Sequence, residues 1–244
     1  MRRLALATLL FALACVAAYV SLQEGWLRFN YPSLQRYPIR GIDVSHHQGE
    51  VDWTAVRGDG VLFVYLKATE GGDFVDPRFA RNWTQARGAG LAVGAYHFFT
   101  FCRDGASQAR NFLATVPRTV DALPPAVDLE FGGNCGRTPA GGELRKELLA
   151  FLEPVQAAYG RPPVFYVTRE FFNAYMWDDS GSTLDQHLWA RDIFRSPRWL
   201  GPQAWTFWQY ANRGRIAGIG EPVDLNVFHG DHQAWRRFRE QMAK

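Results

Sequence analysis

The chain has 244 residues, of which 47% are hydrophobic, 15% aromatic and 21% charged, enough for one sizeable core without requiring a second domain. Its 27 basic and 24 acidic side chains give a formal net charge of +3 with no long block of one sign. That bias is too weak for a nucleic-acid partner, though it suits an anionic polymer. Nine Trp, nine Tyr and 18 Phe also supply flat faces of the kind a sugar-binding cleft uses, although most must be core.

The chain begins MRRLALATLLFALACVAAYVSLQ, two arginines followed by an apolar run from Leu4 to Leu22. Such a run is just long enough to span a bilayer as a helix, and it also fits a signal peptide with Ala12-Leu13-Ala14 as an A-x-A site. Either way the remainder leaves the cytoplasm, because the positive charges precede the apolar run. Its length and ambiguous cleavage site favour an anchor kept in the inner (cytoplasmic) membrane, with the rest on the periplasmic or extracellular face; cleavage would make the protein secreted. Cys15 follows Ala-Leu-Ala where a lipobox has Leu three residues earlier, which argues against a lipoprotein. Residues 1–22 therefore read as a signal-anchor or signal peptide, 23–39 as a linker with Pro32 and Pro38, and 40–244 as a catalytic barrel domain.

Short β-rich runs follow in order: Gly41–Ser45, Val61–Thr69, Leu91–Phe99, Ala126–Phe131, Pro163–Thr168, His187–Arg191, Trp205–Tyr210 and Val223–Phe228. Helices are expected around Trp53–Arg57, Pro77–Arg87, Ala106–Val116 and Gly142–Tyr159. The last carries Leu144, Leu148, Leu152, Val155 and Tyr159 at helical spacing, with Gly160-Arg161-Pro162 to stop it. An amphipathic helix in DHQAWRRFREQMAK closes the chain. Strands alternating with helices call for parallel βαβ units, and this many strands suggest closure. The expected class is α/β, a modified TIM-like barrel of about five βα units followed by three strands.

In parallel barrels the chemistry sits where the C-terminal ends of the strands converge. Asp43 lies near that end of the first strand, Tyr96 and His97 of the third, Asp128 and Glu130 of the fourth, Tyr166 of the fifth, Trp189 of the sixth, and Trp208 and Tyr210 of the seventh, with Asp224 in the eighth. Asp128 and Glu130, two apart on a strand, face the same way, and like charges so close raise at least one pKa. A carboxyl that stays protonated near neutral pH can act as a general acid. Cys102 lies five residues past His97 and Cys135 five past Glu130, and Cys15 belongs to the apolar run. In an oxidising compartment these two thiols are a natural disulfide bracing the rim.

The segments GIDVSHHQG, VYLKATEGGDFVDPRF, ARGAGLAVGAYHFF, PPAVDLE, PVFYVT, LWAR, WTFWQY and VDLN, taken in order, resemble the glycoside hydrolase family 25 lysozymes from about Gly41 to Phe228. The resemblance implies cleavage of the β-1,4 bond between N-acetylmuramic acid and N-acetylglucosamine in peptidoglycan, with no cofactor and no metal. Asp43, Asp128, Glu130 and Asp224 match the family's acidic positions, with Glu130 as general acid/base. Two routes stay open: attack by the substrate's 2-acetamido oxygen oriented by Asp128, which is favoured, or direct attack by Asp224 or Asp43. Tyr96 and Tyr166 resemble tyrosines at the cleaved sugar, while Trp189, Trp208 and Tyr210 would supply stacking faces. Lys67 and Glu70 are either a strand-end ion pair or a substrate contact. The cysteine pair and the apolar start are additions to the pattern.

Two other classes compete. His46, His47, Asp43 and His97 could hold a metal, but adjacent histidines on an extended chain face opposite ways and no H-x-H or H-E-x-x-H spacing occurs. A peptidoglycan-binding module without catalysis is the other, and the intact carboxylates argue against it. The expected partners are peptidoglycan strands and, through the N-terminal segment, a membrane; a monomer is expected.

Overall fold

The computed structural model describes residues 2–176, 187–201 and 205–242. All the expected strands form: β1 (Arg40–Val44), β2 (Val61–Glu70), β4 (Ala92–Phe98), β5 (Ala126–Leu129), β6 (Val164–Thr168), β7 (Leu188–Arg191), β8 (Phe207–Gly214) and β9 (Val223–Phe228), with a two-residue β3 (Phe74–Val75) added as a hairpin on the end of β2. The order β1-β9-β8-β7-β6-β5-β4-β2, with β1 also paired to β2, closes an eight-strand barrel. Neighbours from β1 round to β8 are parallel, and β9 closes the gap antiparallel to both β8 and β1.

Around the barrel lie α2 (Trp53–Gly58), α3 (Phe79–Gly88), α4 (Gly105–Thr115) and α5 (Gly141–Tyr159). Asp52 caps α2 by accepting from the Thr54 and Ala55 amides, and Asp104 caps α4 through Ser107. Gly160 takes the left-handed conformation that ends α5, as the Gly-Arg-Pro stop requires. A single turn, α6 (Arg169–Phe171), follows β6, and no long helix is described between β7, β8 and β9. The expected shape of βα units giving way to strands is therefore the observed one.

Alternation sorts the strand residues into two cores. Val64, Leu66, Val127 and Leu129 point outward against Phe79, Phe112, Phe151 and Val155 of the helices. Phe63, Tyr65, Trp189 and Phe207 fill the barrel interior, and α7 (His232–Met242) plugs its lower end with Trp235 and Phe238. Two strand glycines make this filling possible: a Cβ on Gly41 would stand 2.2 Å from the Phe63 ring, and one on Gly94 2.4 Å from Tyr65. Residues 243 and 244, the end of the stretch read as the closing helix, lie outside the described residues.

At the other end of the chain, α1 (Arg2–Gln23) has an 18-residue window of mean hydropathy 2.3, none of it buried. Residues 24–39 lie along the barrel wall. Tyr37 is buried against Trp205 and Trp208, at ring separations of 5.5 and 6.2 Å, and Ile39 is fully enclosed.

Candidate active site

The barrel interior is apolar below and polar above, because the inward positions near the C-terminal strand ends are Asp43, Lys67, Tyr96, Asp128, Tyr166, Gln209 and Asp224, with Glu130 just past β5. Together they line a cleft of about 460 Å³, completed by Ser45, His47, Gln48, Glu70, Phe98, Trp189 and the Gly132–Gly133 turn. All four carboxylates identified in the sequence meet in this one cleft.

Asp43 and Asp224 oppose each other directly on the antiparallel β1–β9 pair. The Asp43 Oδ2 accepts hydrogen bonds from Asn226 Nδ2 at 2.7 Å and Gln209 Nε2 at 3.1 Å, and the two carboxyl groups also hydrogen-bond each other. Burial raises the Asp43 pKa, and the amide donors hold that rise back. Among the described residues no such amide bonds Asp224; burial and then the Asp43 charge push its pKa well above the ordinary range. Of the two, Asp224 is therefore the carboxyl held further above its ordinary range.

The second couple stands on β5. Burial, then Glu130, then Asp43 drive the Asp128 pKa well up, against the pull of Lys67 and Arg191. Among the described residues its buried Oδ1 has no hydrogen-bond partner. A buried carboxyl oxygen without a protein partner is an acceptor open to a donor that enters the cleft. Glu130 is raised too, chiefly by burial, while Arg191 opposes the rise most strongly. Glu130 is thereby suited to hold a proton at a pH where an ordinary glutamate has lost it.

Tyr96 lines the cleft, and burial followed by the charges of Asp43, Asp128 and Asp224 keeps its hydroxyl protonated as a donor. Tyr166 does likewise and donates to Gln209 Oε1 at 3.0 Å. Lys67 pairs with Glu70 at 2.6 Å and lies over the Phe98 ring at 5.1 Å, so the ion pair and the cleft wall are one feature.

Of the three aromatics expected as stacking faces, Trp189 lines the cleft, while Trp208 and Tyr210 face away from it. Trp189 is 1% exposed; its ring packs on Tyr65 and Tyr166 and its indole donates to Asn226 Oδ1 at 2.8 Å, making it the floor beneath the carboxylates. Trp208 and Tyr210 sit on the outer face of β8, since Phe207 and Gln209 occupy the inward positions of an alternating strand. Trp208 packs on Tyr37 and Trp205 and donates to the Asp192 carbonyl at 2.9 Å, and Tyr210 faces the end of α1. His97 also points outward, stacked on Phe151 and bonded to Thr69 and Gln108, with burial lowering its pKa to about 4. His46 bonds Asp76 at 2.9 Å, so of the three histidines only His47 shares the cleft with Asp43.

Sequence reading missed Gln209, Asn226 and Arg191. A polar residue on the inward parity of a strand, opposite a known carboxylate, is the signal that identifies the first two. Cys102 and Cys135 form a disulfide, with Cα atoms 6.2 Å apart, that ties the loop after β4 to the loop after β5. Beside it the Asn134 amide accepts from the Phe101 and Cys135 N–H groups and donates to the Phe99 and Glu130 carbonyls.

Comparison with known proteins agrees with this geometry. The family described as "Glycosyl hydrolases family 25" matches residues 42–219. A solved family 25 glycosyl hydrolase from Bacillus anthracis superposes with a TM-score of 0.79 at 36% identity, covering 86% of this chain and 97% of that one. The "Lysozyme M1" of Streptomyces globisporus is 33% identical over 206 residues, 79% of this chain and 68% of its own. Protein YegX of Escherichia coli K12 is 36% identical over 207 residues, 83% of this chain and 74% of its own. The chain belongs to glycosyl hydrolases family 25 and is a glycoside hydrolase.

Proposed function

We propose that this glycoside hydrolase is an exported lysozyme that cleaves the β-1,4 bond between N-acetylmuramic acid and N-acetylglucosamine in peptidoglycan. The observation that carries the reading is the pair of raised carboxyls on one strand, with Glu130 at the cleft surface and the unpartnered Asp128 oxygen behind it. Glu130 protonates the departing sugar oxygen and later deprotonates the incoming water. Asp128 Oδ1 accepts the substrate's acetamido N–H, and the acetamido oxygen attacks the anomeric carbon from within the substrate.

Several features support this route over direct attack. Asp43 is committed to two amide donors and to Asp224, so neither member of that couple is a free nucleophilic carboxylate. Their role here is to stabilise positive charge developing on the sugar ring. Tyr96 and Tyr166 provide hydroxyls at the cleaved sugar. The apolar α1, preceded by Arg2 and Arg3, supports export, with the helix retained as an anchor on the outer side of the cytoplasmic membrane.

Digestion of purified sacculi with mass spectrometry of the new reducing ends tests the assignment. Muramic acid at those ends is expected, and glucosamine there overturns it. Glu130→Gln should lower the digestion rate about 10²- to 10⁴-fold.

A further inference from the structure

Outside α1, large exposed hydrophobic side chains gather in one place: Trp26 (65% exposed), Leu27 (47%), Phe29 (58%), Tyr31 (60%), Leu34 (55%) and, from the loop after β7, Phe194 (63%). Phe29 and Phe194 join the two stretches, with ring centroids 5.0 Å apart. Elsewhere among the described residues such exposure is limited to the Phe74–Val75 pair of β3 and to the single positions Val120 and Leu149. A contiguous apolar patch on an otherwise ordinary surface marks an interaction site.

The patch is held firmly to the barrel. Arg213 Nε donates to the Gln23 carbonyl, and Arg215 bonds the Glu24 carbonyl and carboxylate, all within 2.7 Å. Asn30 donates to the Asp192 carbonyl at 3.3 Å. At Gly25 a Cβ would stand 2.0 Å from the Arg213 oxygen, so only glycine admits this close crossing. The stretch after the apolar helix is thus clamped to the C-terminal ends of β7 and β8, at the end of the barrel where the cleft opens.

We infer that residues 24–34 and Phe194 form a bilayer-docking face that seats the barrel on the outer surface of the membrane, with the cleft rim alongside the lipid. The occupant follows from continuity, because the patch begins where an unburied apolar helix of bilayer length ends. Trp and Tyr among aliphatics are the side chains that settle at the headgroup boundary, and the neighbouring Arg28 and Arg195 favour anionic headgroups. Arg191, at the end of β7 on the cleft side, is three residues before Phe194, so the loop that carries the patch starts next to the catalytic centre. Docked this way, the enzyme meets glycan strands next to the membrane.

This inference rests on the helix being retained as an anchor, and the experiment separates the two. The full chain carrying Cys15→Ala is labelled with bimane at one added cysteine, Phe194→Cys, Leu34→Cys, Leu10→Cys or Val120→Cys, and reconstituted into phosphatidylcholine–phosphatidylglycerol vesicles containing doxyl-labelled lipid. Loss of emission is expected at 194, 34 and 10, with emission preserved at 120. Quenching at 10 without quenching at 194 and 34 overturns the docking face and leaves the anchor standing. Emission preserved at 10 removes the anchor, and the docking face with it.

Discussion

At Glu130 a single side chain receives opposing influences, and their balance predicts a pH profile. Burial and Asp43 raise its pKa; Arg191 and Lys67 lower it, and Asp128, Asp224, Tyr96 and Tyr166 complete the groups around it. The general acid works only while protonated, so activity falls as pH rises through the Glu130 pKa. Removing the strongest lowering influence with Arg191→Met should raise that pKa further and move the alkaline limb of kcat/KM to higher pH. A limb that moves to lower pH contradicts the assignment. Asp128 gives a second residue-scale prediction. Its pKa is raised in the folded state, so the native protein binds the proton more tightly than the unfolded chain. Stability is therefore fully present below the unfolded value of 3.8 and declines as pH climbs through the raised folded one. Asp128→Asn removes that penalty: it should raise the thermal midpoint more at pH 7 than at pH 4, while sacculus digestion collapses.

On β8 the difference between a core position and a site position is one residue. Gln209→Ala withdraws a donor from Asp43 and an acceptor from Tyr166. A hydrogen bond to a charged group contributes about 1.5–3 kcal/mol, so a loss of roughly ten- to a hundredfold in kcat is expected. Tyr210→Phe, on the outward face, should leave kcat within about twofold. Reversal of those two results would return Tyr210 to the cleft. The same strand shows how far sequence reasoning reaches. The strands, helices and acidic positions were legible because hydrophobic periodicity and Asp/Glu in apolar runs are local signals. The facing of WTFWQY was not, since aromatics can serve either core, and only the register with β7 and β9 fixes which parity points inward. Trp189 points inward and lines the cleft at its floor, where depth along the barrel, which no local pattern encodes, leaves it 1% exposed. The Cys102–Cys135 pairing was readable because both lie equally far beyond neighbouring strands.

Across the whole barrel the two ends have separate duties, with apolar filling and α7 at the bottom and carboxylates at the top. Conflict between stability and chemistry is confined to the upper layer, where buried carboxyls oppose folding at neutral pH. The lower layer offsets them, and Trp235 is its centre, with ring centroids 5.4 Å from Phe63, 5.0 Å from Phe228 and 5.8 Å from Phe238. These contacts tie β2, β9 and α7 together at the end of the barrel away from the cleft. Trp235→Ala should therefore cost about 3–5 kcal/mol of stability. Because its ring contacts among the described residues are Phe63, Phe207, Phe228 and Phe238, none of which lines the cleft, kcat at a temperature where the variant remains folded should match the parent, with the loss visible as an earlier midpoint in thermal denaturation. A variant that keeps its midpoint but loses kcat would mean that the plug helix reaches the chemistry, and the division of the barrel into a supporting end and a reacting end would fail.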